Sequence, residues 1–351
     1  MNDDFEKQQR DPFVTEEGAA AKIDRLRDFL DDPDFEVIIN DKNHDLDHRG
    51  VVSSALVSDR LELLILNYSI GQPIVDLIPL AKEAFFARER DYKMFNKQTG
   101  SIFLWETNGY MQLMWLMGLA VMLDQNSYIP KIASWINHDP ANGNDPLVSK
   151  LFSRMGVSGV PMGDVLIHTK GYSDLYKVVT ASESDVNNGQ RELWMESHLK
   201  NWYKNAMKPT IWGDWHEQPK IHFGYWSFES GLVTLLYGLD DSSYRDMTFY
   251  PKDLVDWARE NVDLRKLQPL TVTPKSRYTG YAVTVGEICQ ETGHYECPRL
   301  QGRIVMLMQG QKVLGEKHNE MGAIIWYKLT KEAERDYLEN RKKNPLTGNW
   351  E

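Results

Sequence analysis

The amino-acid sequence predicts a mainly α-helical fold, in which one or more helical bundles are followed by a small β-barrel-like module at the C-terminal end. Apolar residues recur at the helical period through most of the first 265 residues. Beyond Leu270 the period changes, and short β-branched and aromatic runs alternate with turn residues. The 351 residues suffice for about two domains, each able to bury a core of its own.

The helical part opens with three strongly patterned segments. Between residues 51 and 68 the apolar side chains form one stripe, which Ser69-Ile70-Gly71 then interrupts. Pro73 opens a second helix, because proline is tolerated in a first helical turn. A third segment, residues 104–123, is apolar nearly all round, which predicts the central helix of a bundle.

Ordinary turn signals separate the helices that follow. A turn-rich stretch covers residues 138–144, a glycine-rich loop covers 156–163, and Gly238 ends a strongly apolar helix. The predicted helices cover residues 128–135, 145–155, 190–207, 225–237 and 251–260.

The C-terminal module is predicted from four strand-like runs that Pro and Gly residues divide. These runs cover residues 271–273, 281–285, 303–308 and 322–327, in a module of roughly 60 residues with four or five strands. The tail from residue 330 onward is charged, and its first part favours a helix. The predicted domain boundaries are 1–156 and 157–268 for two helical parts, 269–330 for the β module and 331–351 for the tail.

Charge is unevenly distributed along the chain. The formal net charge is −11, and the first 50 residues hold 15 acidic and 7 basic residues, a net of −8. An acidic surface repels phosphate backbones, so direct binding of nucleic acid by this chain is not expected. It would attract a basic protein surface, including the groove of an enzyme that acts on nucleic acid. The alternative is that the acidic surface only maintains solubility.

Cysteine content and the first residues predict the cellular compartment. Only Cys289 and Cys297 are present, which excludes a disulfide framework. The first six residues carry neither a basic region nor an apolar run typical of a signal peptide, and the longest apolar stretch, 110–123, is too short to span a bilayer. We therefore expect a cytoplasmic protein with reduced thiols and no membrane contact.

Sequence motifs for catalysis, cofactors and metals are absent. The chain has no G-x-G-x-x-G, Walker or G-x-S-x-G motif, and His216 and His222 are six residues apart, with Pro219 between them, where a zincin helix needs four. Cys289, His294 and Cys297 lack the close cysteine spacing of a structural zinc site. Glu229 lies on an apolar helix without a second positioned group for acid–base work. The sequence thus predicts no catalytic residue, no cofactor and no metal.

A family resemblance is carried by several segments of the helical part. Gly224-Tyr225-Trp226-Ser227-Phe228-Glu229 and Tyr250-Pro251-Lys252-Asp253-Leu254 are its most specific segments, and Lys200-Asn201-Trp202-Tyr203 adds to them. Arg10-Asp11 and Leu66-Asn67-Tyr68-Ser69-Ile70-Gly71 carry a weaker N-terminal likeness. Over roughly residues 10 to 262 the chain resembles the immunity proteins of bacterial polymorphic toxin systems, especially those that neutralise nuclease effectors of type VI secretion.

The resemblance implies a partner-binding protein that is not an enzyme. Its partner would be a cognate toxin, a nuclease effector that acts in the cytoplasm, and inhibition would occur by occluding the toxin's active site. The signature residues are expected to form scaffold: Tyr225, Trp226, Phe228, Glu229, Asp241, Arg245, Tyr250, Pro251 and Asp253. Among them, Asp241 and Arg245 could form an ion pair, and Asp253 suits the start of the last helix.

An inhibitor that matches one toxin needs a recognition surface outside the shared signature. The acidic segments outside it supply the predicted contact residues: Asp31, Asp32, Asp34, Asp41, Asp45, Asp47 and Asp145. Three alternatives stay open, namely an adaptor or chaperone for a secreted effector, a helical enzyme built from scattered acids and histidines, and association of the chain as a homodimer.

Overall fold

The structure is a computed structural model, and it describes residues 3–96, 99–138, 144–264, 270–271, 278–297, 303–315, 318–319, 322–323 and 325–340. The chain divides into two compact units. The first comprises residues 1–137 and 144–273, and the second comprises residues 138–143 and 274–351. The predicted helical parts 1–156 and 157–268 both contribute to the first unit, so they share one core.

The first unit is built from helices, as the sequence predicts. Short 3-10 turns at Asn126–Tyr128 and Trp215–Glu217 and a π-helical turn at Tyr203–Met207 supplement them. The helices are α1 Asp3–Gln8, α2 Glu16–Asp31, α3 Pro33–Asn40, α4 Leu46–Ser69, α5 Ile74–Phe95, α6 Thr107–Met122, α7 Ile129–Trp135, α8 Pro146–Arg154, α9 Thr169–Thr180, α10 Glu183–Asn187, α11 Gln190–Trp202, α12 Phe228–Tyr237 and α13 Lys252–Asn261.

Helix α6 lies at the centre of this unit, which confirms the prediction from its all-round apolar sequence. Every residue from Leu113 to Met122 is buried. Gly118 faces α12 so closely that an added Cβ would lie 2.6 Å from the Phe228 carbonyl oxygen. The contact between α6 and α12 joins the N-terminal half of the unit to the C-terminal half.

Helix α12 begins three residues later than the sequence predicts. The preceding backbone is bonded to other parts of the chain: the Tyr225 amide donates to Asp11 and the Ser227 amide donates to the Phe249 carbonyl. Gly224 has φ +112, a conformation that favours glycine, and its space is limited by the Ser69 hydroxyl. These long-range bonds hold the segment extended where its apolar pattern resembles a helix.

The first unit also contains one short pair of strands. Strand β1, Val157–Ser158, runs parallel to β2, Leu270–Thr271. Part of the glycine-rich loop therefore forms a strand, which its sequence did not predict. Within the part of the chain that the structure describes, no helix is both long and apolar enough to cross a membrane.

The second unit is a small antiparallel sheet. Its strands are β3 Tyr278–Thr284, β4 Gly293–Cys297, β5 Arg303–Leu307 and β8 Ile325–Leu329, beside a two-stranded pair of β6 His318–Asn319 and β7 Gly322–Ala323. The order is β3-β8-β4-β5. Among the described strands β3 and β5 are thus the two edges, and the predicted barrel-like closure is not seen. Helix α14, Lys331–Asn340, follows β8, in agreement with the predicted helical tail.

Both thiols of the second unit lie inside its core. Cys289 and Cys297 are free and fully buried, packed with Val283, Tyr295 and Trp326. The Cys289 Sγ lies 3.3 Å from the Tyr295 hydroxyl. The two thiols are therefore part of the apolar interior of the second unit.

Candidate partner-binding surface

The most acidic part of the surface is a helical corner at residues 28–47, here called the acidic corner. It comprises the end of α2, all of α3 and the start of α4. These 20 residues hold eight carboxylates and one lysine, a net of −7. Six of the predicted contact residues lie here, on helix ends and in the α3–α4 loop, where the sequence predicted loops alone: Asp31, Asp32, Asp34, Asp41, Asp45 and Asp47.

Three of these carboxylates also build the corner. Asp32 caps α3 by accepting the Asp34 amide at 2.9 Å, and Asp45 caps α4 by accepting the amides of Asp47 and His48 at 3.0 and 3.1 Å. Asp41 accepts the Asn43 amide at 2.9 Å in the loop between these helices. These bonds hold the turns between α2, α3 and α4 in defined conformations.

The remaining acids of the corner divide into two groups. Asp28, Asp31, Asp34 and Asp47 are exposed. Glu36 is instead bound by both guanidinium nitrogens of Arg90 on α5, at 2.8 and 3.0 Å, and this hydrogen-bonded contact lowers the pKa of Glu36. The Arg90 contact anchors α3 to the body, whereas the exposed acids are available to a partner.

Apolar side chains lie among these charges. Val37, Leu46 and Val51 are exposed large hydrophobic residues on α3 and α4. Beneath them a small cluster separate from the main core contains Ile39, Leu56 and Phe95. Exposed apolar groups surrounded by charged ones match the apolar centre and polar rim of many protein–protein interfaces.

Asp145, the seventh predicted contact residue, has an interior position. It is 1% exposed, and one carboxylate oxygen caps α8 by accepting the amides of Leu147 and Val148. The other accepts the Ile167 amide at 2.9 Å, and the Tyr110 hydroxyl lies 3.3 Å from the carboxylate. Because its oxygens are enclosed by these donors, we exclude Asp145 from the candidate surface.

The aromatic signature residues lie in the interior of the first unit. Tyr225 donates through its hydroxyl to the Trp212 carbonyl, and Trp226 donates through Nε1 to the Ser69 hydroxyl at 2.9 Å. Phe228 is fully buried against α6. These three side chains therefore join segments of the scaffold and present no surface to a partner.

Asp241 is the centre of a second signature cluster. It accepts the Tyr250 hydroxyl at 2.9 Å and the guanidinium groups of Arg245 and Arg259 at 3.3 and 3.1 Å. The predicted Asp241–Arg245 pair is thus present. Arg245 also forms a two-pronged contact with Asp256, which lowers the pKa of that carboxyl. Pro251, next to Tyr250, is buried at the start of α13.

Arg10 and Asp253 form a bond that the sequence did not predict. The Arg10 Nε donates to the Asp253 carboxylate in the first turn of α13. One further nitrogen of Arg10 donates to the carbonyls of Tyr68 and Gln72, both at 2.9 Å. Arg10 therefore ties the N-terminal arm, residues 10–15, to α4 and α13 together.

Asp11 extends the same arm into the C-terminal half. Its carboxylate accepts the Tyr225 amide at 2.8 Å and the Phe13 amide at 2.6 Å, and the His222 Nε2 lies 3.5 Å away. The side chain is almost completely buried. Tyr225 and His222 lie more than 200 residues from Asp11 in sequence, so only the fold could place them beside it.

A cluster of buried serine, histidine and glutamate has the residue types of a hydrolase site. The Ser227 hydroxyl lies 3.5 Å from His198 Nε2 and 2.6 Å from the Ser230 hydroxyl. Glu229 accepts the Trp202 indole N–H at 2.6 Å. His198, Ser227, Ser230 and Glu229 are at most 2% exposed, so the cluster belongs to the interior of the first unit.

Two of the histidines that the sequence analysis considered as metal ligands contact other side chains of the protein. His216 packs edge-on against Phe13 and Tyr203, and His294 Nδ1 contacts Glu334 at 2.5 Å. Over the described residues, no group of three or more histidine, cysteine or carboxylate side chains is placed to hold a metal ion.

Two family profiles match the chain. The profile described as PoNe immunity protein (PoNi), N-terminal, matches residues 10–134, and the one described as PoNe immunity proteins (PoNi), C-terminal, matches residues 143–254. Neither profile covers residues 255–351, which include the β-sheet.

A solved structure shares the fold. The crystal structure of protein PA2201 from Pseudomonas aeruginosa superposes with a TM-score of 0.55 at 17% identity, over 73% of this chain and 94% of that one. At this identity the likeness concerns the fold alone. No curated protein matches the chain.

Proposed function

Because this chain belongs to the family of PoNe immunity proteins, we propose that it binds a cognate PoNe nuclease toxin in the cytoplasm and inhibits it by covering the toxin's active site. The acidic corner is the observation that supports this mechanism. It combines a net charge of −7 within 20 residues with exposed carboxylates on capped helix ends. The proposal includes delivery of the toxin by type VI secretion. It also includes an interface in which neither nucleic acid nor a membrane takes part.

Charge complementarity explains why an acidic corner suits this target. A nuclease must bind the phosphate backbone, so the groove that holds its substrate is basic. Carboxylates of the corner would occupy the positions of substrate phosphates and exclude the nucleic acid. The same charges would raise the association rate, towards ~10⁸ M⁻¹s⁻¹ at low salt, because opposite potentials steer the encounter.

The rigid frame of the corner supports tight binding. Asp32 and Asp45 fix the starts of α3 and α4, and the Glu36–Arg90 contact fixes α3 to α5. Ordering flexible segments on binding lowers affinity, so a surface fixed in advance loses less free energy on association. Signature residues such as Asp241 and Trp226 act through the scaffold, since they are buried.

Co-expression tests the proposal. Cells that produce the PoNe toxin domain encoded next to this gene should grow when this chain is co-produced, and should die with an empty vector. The purified pair should elute as one complex on gel filtration, and the toxin in that complex should not cleave DNA. Continued killing without a complex contradicts the proposal, and a stable complex with active toxin indicates an adaptor.

A further inference from the structure

A second exposed surface lies where the start of α6 meets two loops of the C-terminal half. Three large apolar side chains define it, here called the apolar rim: Trp105 is 59% exposed, Val165 is 72% exposed and Ile211 is 63% exposed. Trp is the residue type most enriched at the energetic centres of protein interfaces. Exposed Trp105, on a surface with two further exposed apolar residues, is therefore a candidate contact.

Hydrogen bonds hold the segments of the rim in place. His168 Nε2 contacts the Leu104 carbonyl at 2.8 Å, beside Trp105, and the Ile167 amide donates to buried Asp145 at 2.9 Å. The first contact joins the loop that carries Val165 to the chain that carries Trp105, and the second holds the same loop to the start of α8. The rim is thus assembled from both halves of the unit.

Ile211 reaches the rim through an irregular turn. The chain leaves α11 by the π-helical turn Tyr203–Met207, in which the Lys208 amide donates to the Tyr203 carbonyl at 2.7 Å. The Ile211 amide then donates to the Asn108 side chain at 3.0 Å, in the first turn of α6. π-Helical turns occur frequently at functional sites, and here the turn precedes the segment that carries an exposed apolar residue to α6.

The loop that carries Trp105 is also hydrogen-bonded to the first part of α4, which follows the acidic corner. The Thr99 hydroxyl donates to the Gly50 carbonyl at 2.9 Å, and Gly50 is next to exposed Val51 on α4. The Gly100 amide donates to the Phe95 carbonyl, and Phe95 lies in the small cluster beneath the corner. Residues 99–105 are therefore bonded at one end to the chain that follows the acidic corner, and they carry Trp105 at the other end.

We propose that the apolar rim and the acidic corner belong to one interface, and that Trp105 is its main anchor on the toxin. This rests on the proposed function, because the occupant is the toxin's nuclease domain. The charge of the corner selects the basic groove, and the rim lies against the toxin surface beside that groove. The two parts act on different rates, since charges govern encounter and buried aromatic groups govern separation.

The chemistry of Trp105 suits this role. Its indole buries a large area with only two side-chain torsions to fix, so ordering it on binding has a small entropic penalty. A central aromatic anchor surrounded by groups that exclude water is the usual organisation of a tight interface. Truncating Trp105 should therefore release the toxin faster while the encounter rate stays nearly unchanged.

Binding kinetics with the purified toxin domain separate the two parts. Trp105→Ala is expected to raise the dissociation rate constant on the order of 30-fold and to change the association rate constant by less than about twofold. The triple variant Asp31→Asn, Asp34→Asn, Asp47→Asn is expected to slow association about tenfold at low salt, with a weaker salt dependence. Leu193→Ala is the control for Trp105→Ala, and the double variant Glu183→Gln, Glu260→Gln is the control for the charge variant. All three control residues are exposed elsewhere on the first unit. Both controls should behave as wild type.

Each outcome bears on a different claim. If Trp105→Ala folds normally in thermal unfolding and dissociates at the wild-type rate, Trp105 is not an anchor and the inference is wrong. If the triple variant also associates at the wild-type rate while wild type still inhibits, the toxin binds elsewhere. If wild type forms no complex at all, the proposed function itself fails.

Discussion

Replacing Asp11 with alanine is expected to lower the free energy of unfolding by about 3–5 kcal/mol, because the substitution removes the acceptor of two backbone amides and leaves buried donors unpaired. The Asp11 carboxylate accepts the Phe13 and Tyr225 amides and faces His222. It therefore bonds the N-terminal arm to the segment before α12. Urea unfolding at pH 7, followed by tryptophan fluorescence, measures the change.

Asp24→Ala is the matched control for this variant, since Asp24 is exposed on α2 and its replacement should change the unfolding free energy by less than about 0.5 kcal/mol. At a temperature where the Asp11→Ala variant remains folded, the Asp11→Ala variant should still inhibit the toxin. An unfolding free energy within about 1 kcal/mol of wild type would show that the arm does not join the two halves.

Alkaline conditions are expected to unfold the first unit steeply above about pH 10, because several buried tyrosines must lose a proton that the fold retains. Burial raises the pKa of the hydroxyl of each buried tyrosine in the described part of the first unit: Tyr68, Tyr110, Tyr172, Tyr225, Tyr244 and Tyr250. A folded pKa above the unfolded one gives stability that is complete below the unfolded value. It is then lost as pH rises towards the folded value.

Each such tyrosine lowers the free energy of unfolding by about 1.4 kcal/mol per pH unit in that range. The expected result is little tyrosine-dependent change between pH 7 and pH 9 and cooperative unfolding between about pH 10 and pH 12 in far-ultraviolet circular dichroism. Tyr172→Phe provides the test within the same fold, since the Tyr172 hydroxyl has only a 3.8 Å contact with the Met111 sulfur. The variant should be near wild type at pH 7 and should unfold at higher pH. An unchanged alkaline midpoint contradicts this account.

Local periodicity was sufficient to predict the helical fold and the central position of α6. The all-round apolar pattern of Leu113 to Met122 has only one favourable environment in a soluble bundle. The helix-like aromatic pattern includes residues 225–227 in the predicted helix 225–237, whereas the observed helix begins at Phe228. Their extended backbone depends on Asp11 and Phe249, and no local pattern contains that information.

The candidate surface was predictable only in part. A carboxylate before proline is a helix-cap signal, and Asp145-Pro146 and Asp32-Pro33 both carry it. Applied to Asp145, that signal could have indicated a structural residue before the structure showed its burial. The Arg10–Asp253 bond and the exposed Trp105 depend on long-range packing, so their places could not be inferred from neighbouring residues.

Titration of nuclease activity tests the central claim most directly. Purified toxin domain at a fixed concentration, with a DNA fragment as substrate, should lose activity in proportion to added chain and reach zero at one chain per toxin. If the toxin is first mixed with excess DNA, inhibition by the added chain should begin more slowly, because substrate and inhibitor would compete for one groove. Undiminished cleavage in the presence of a formed complex would contradict occlusion of the active site.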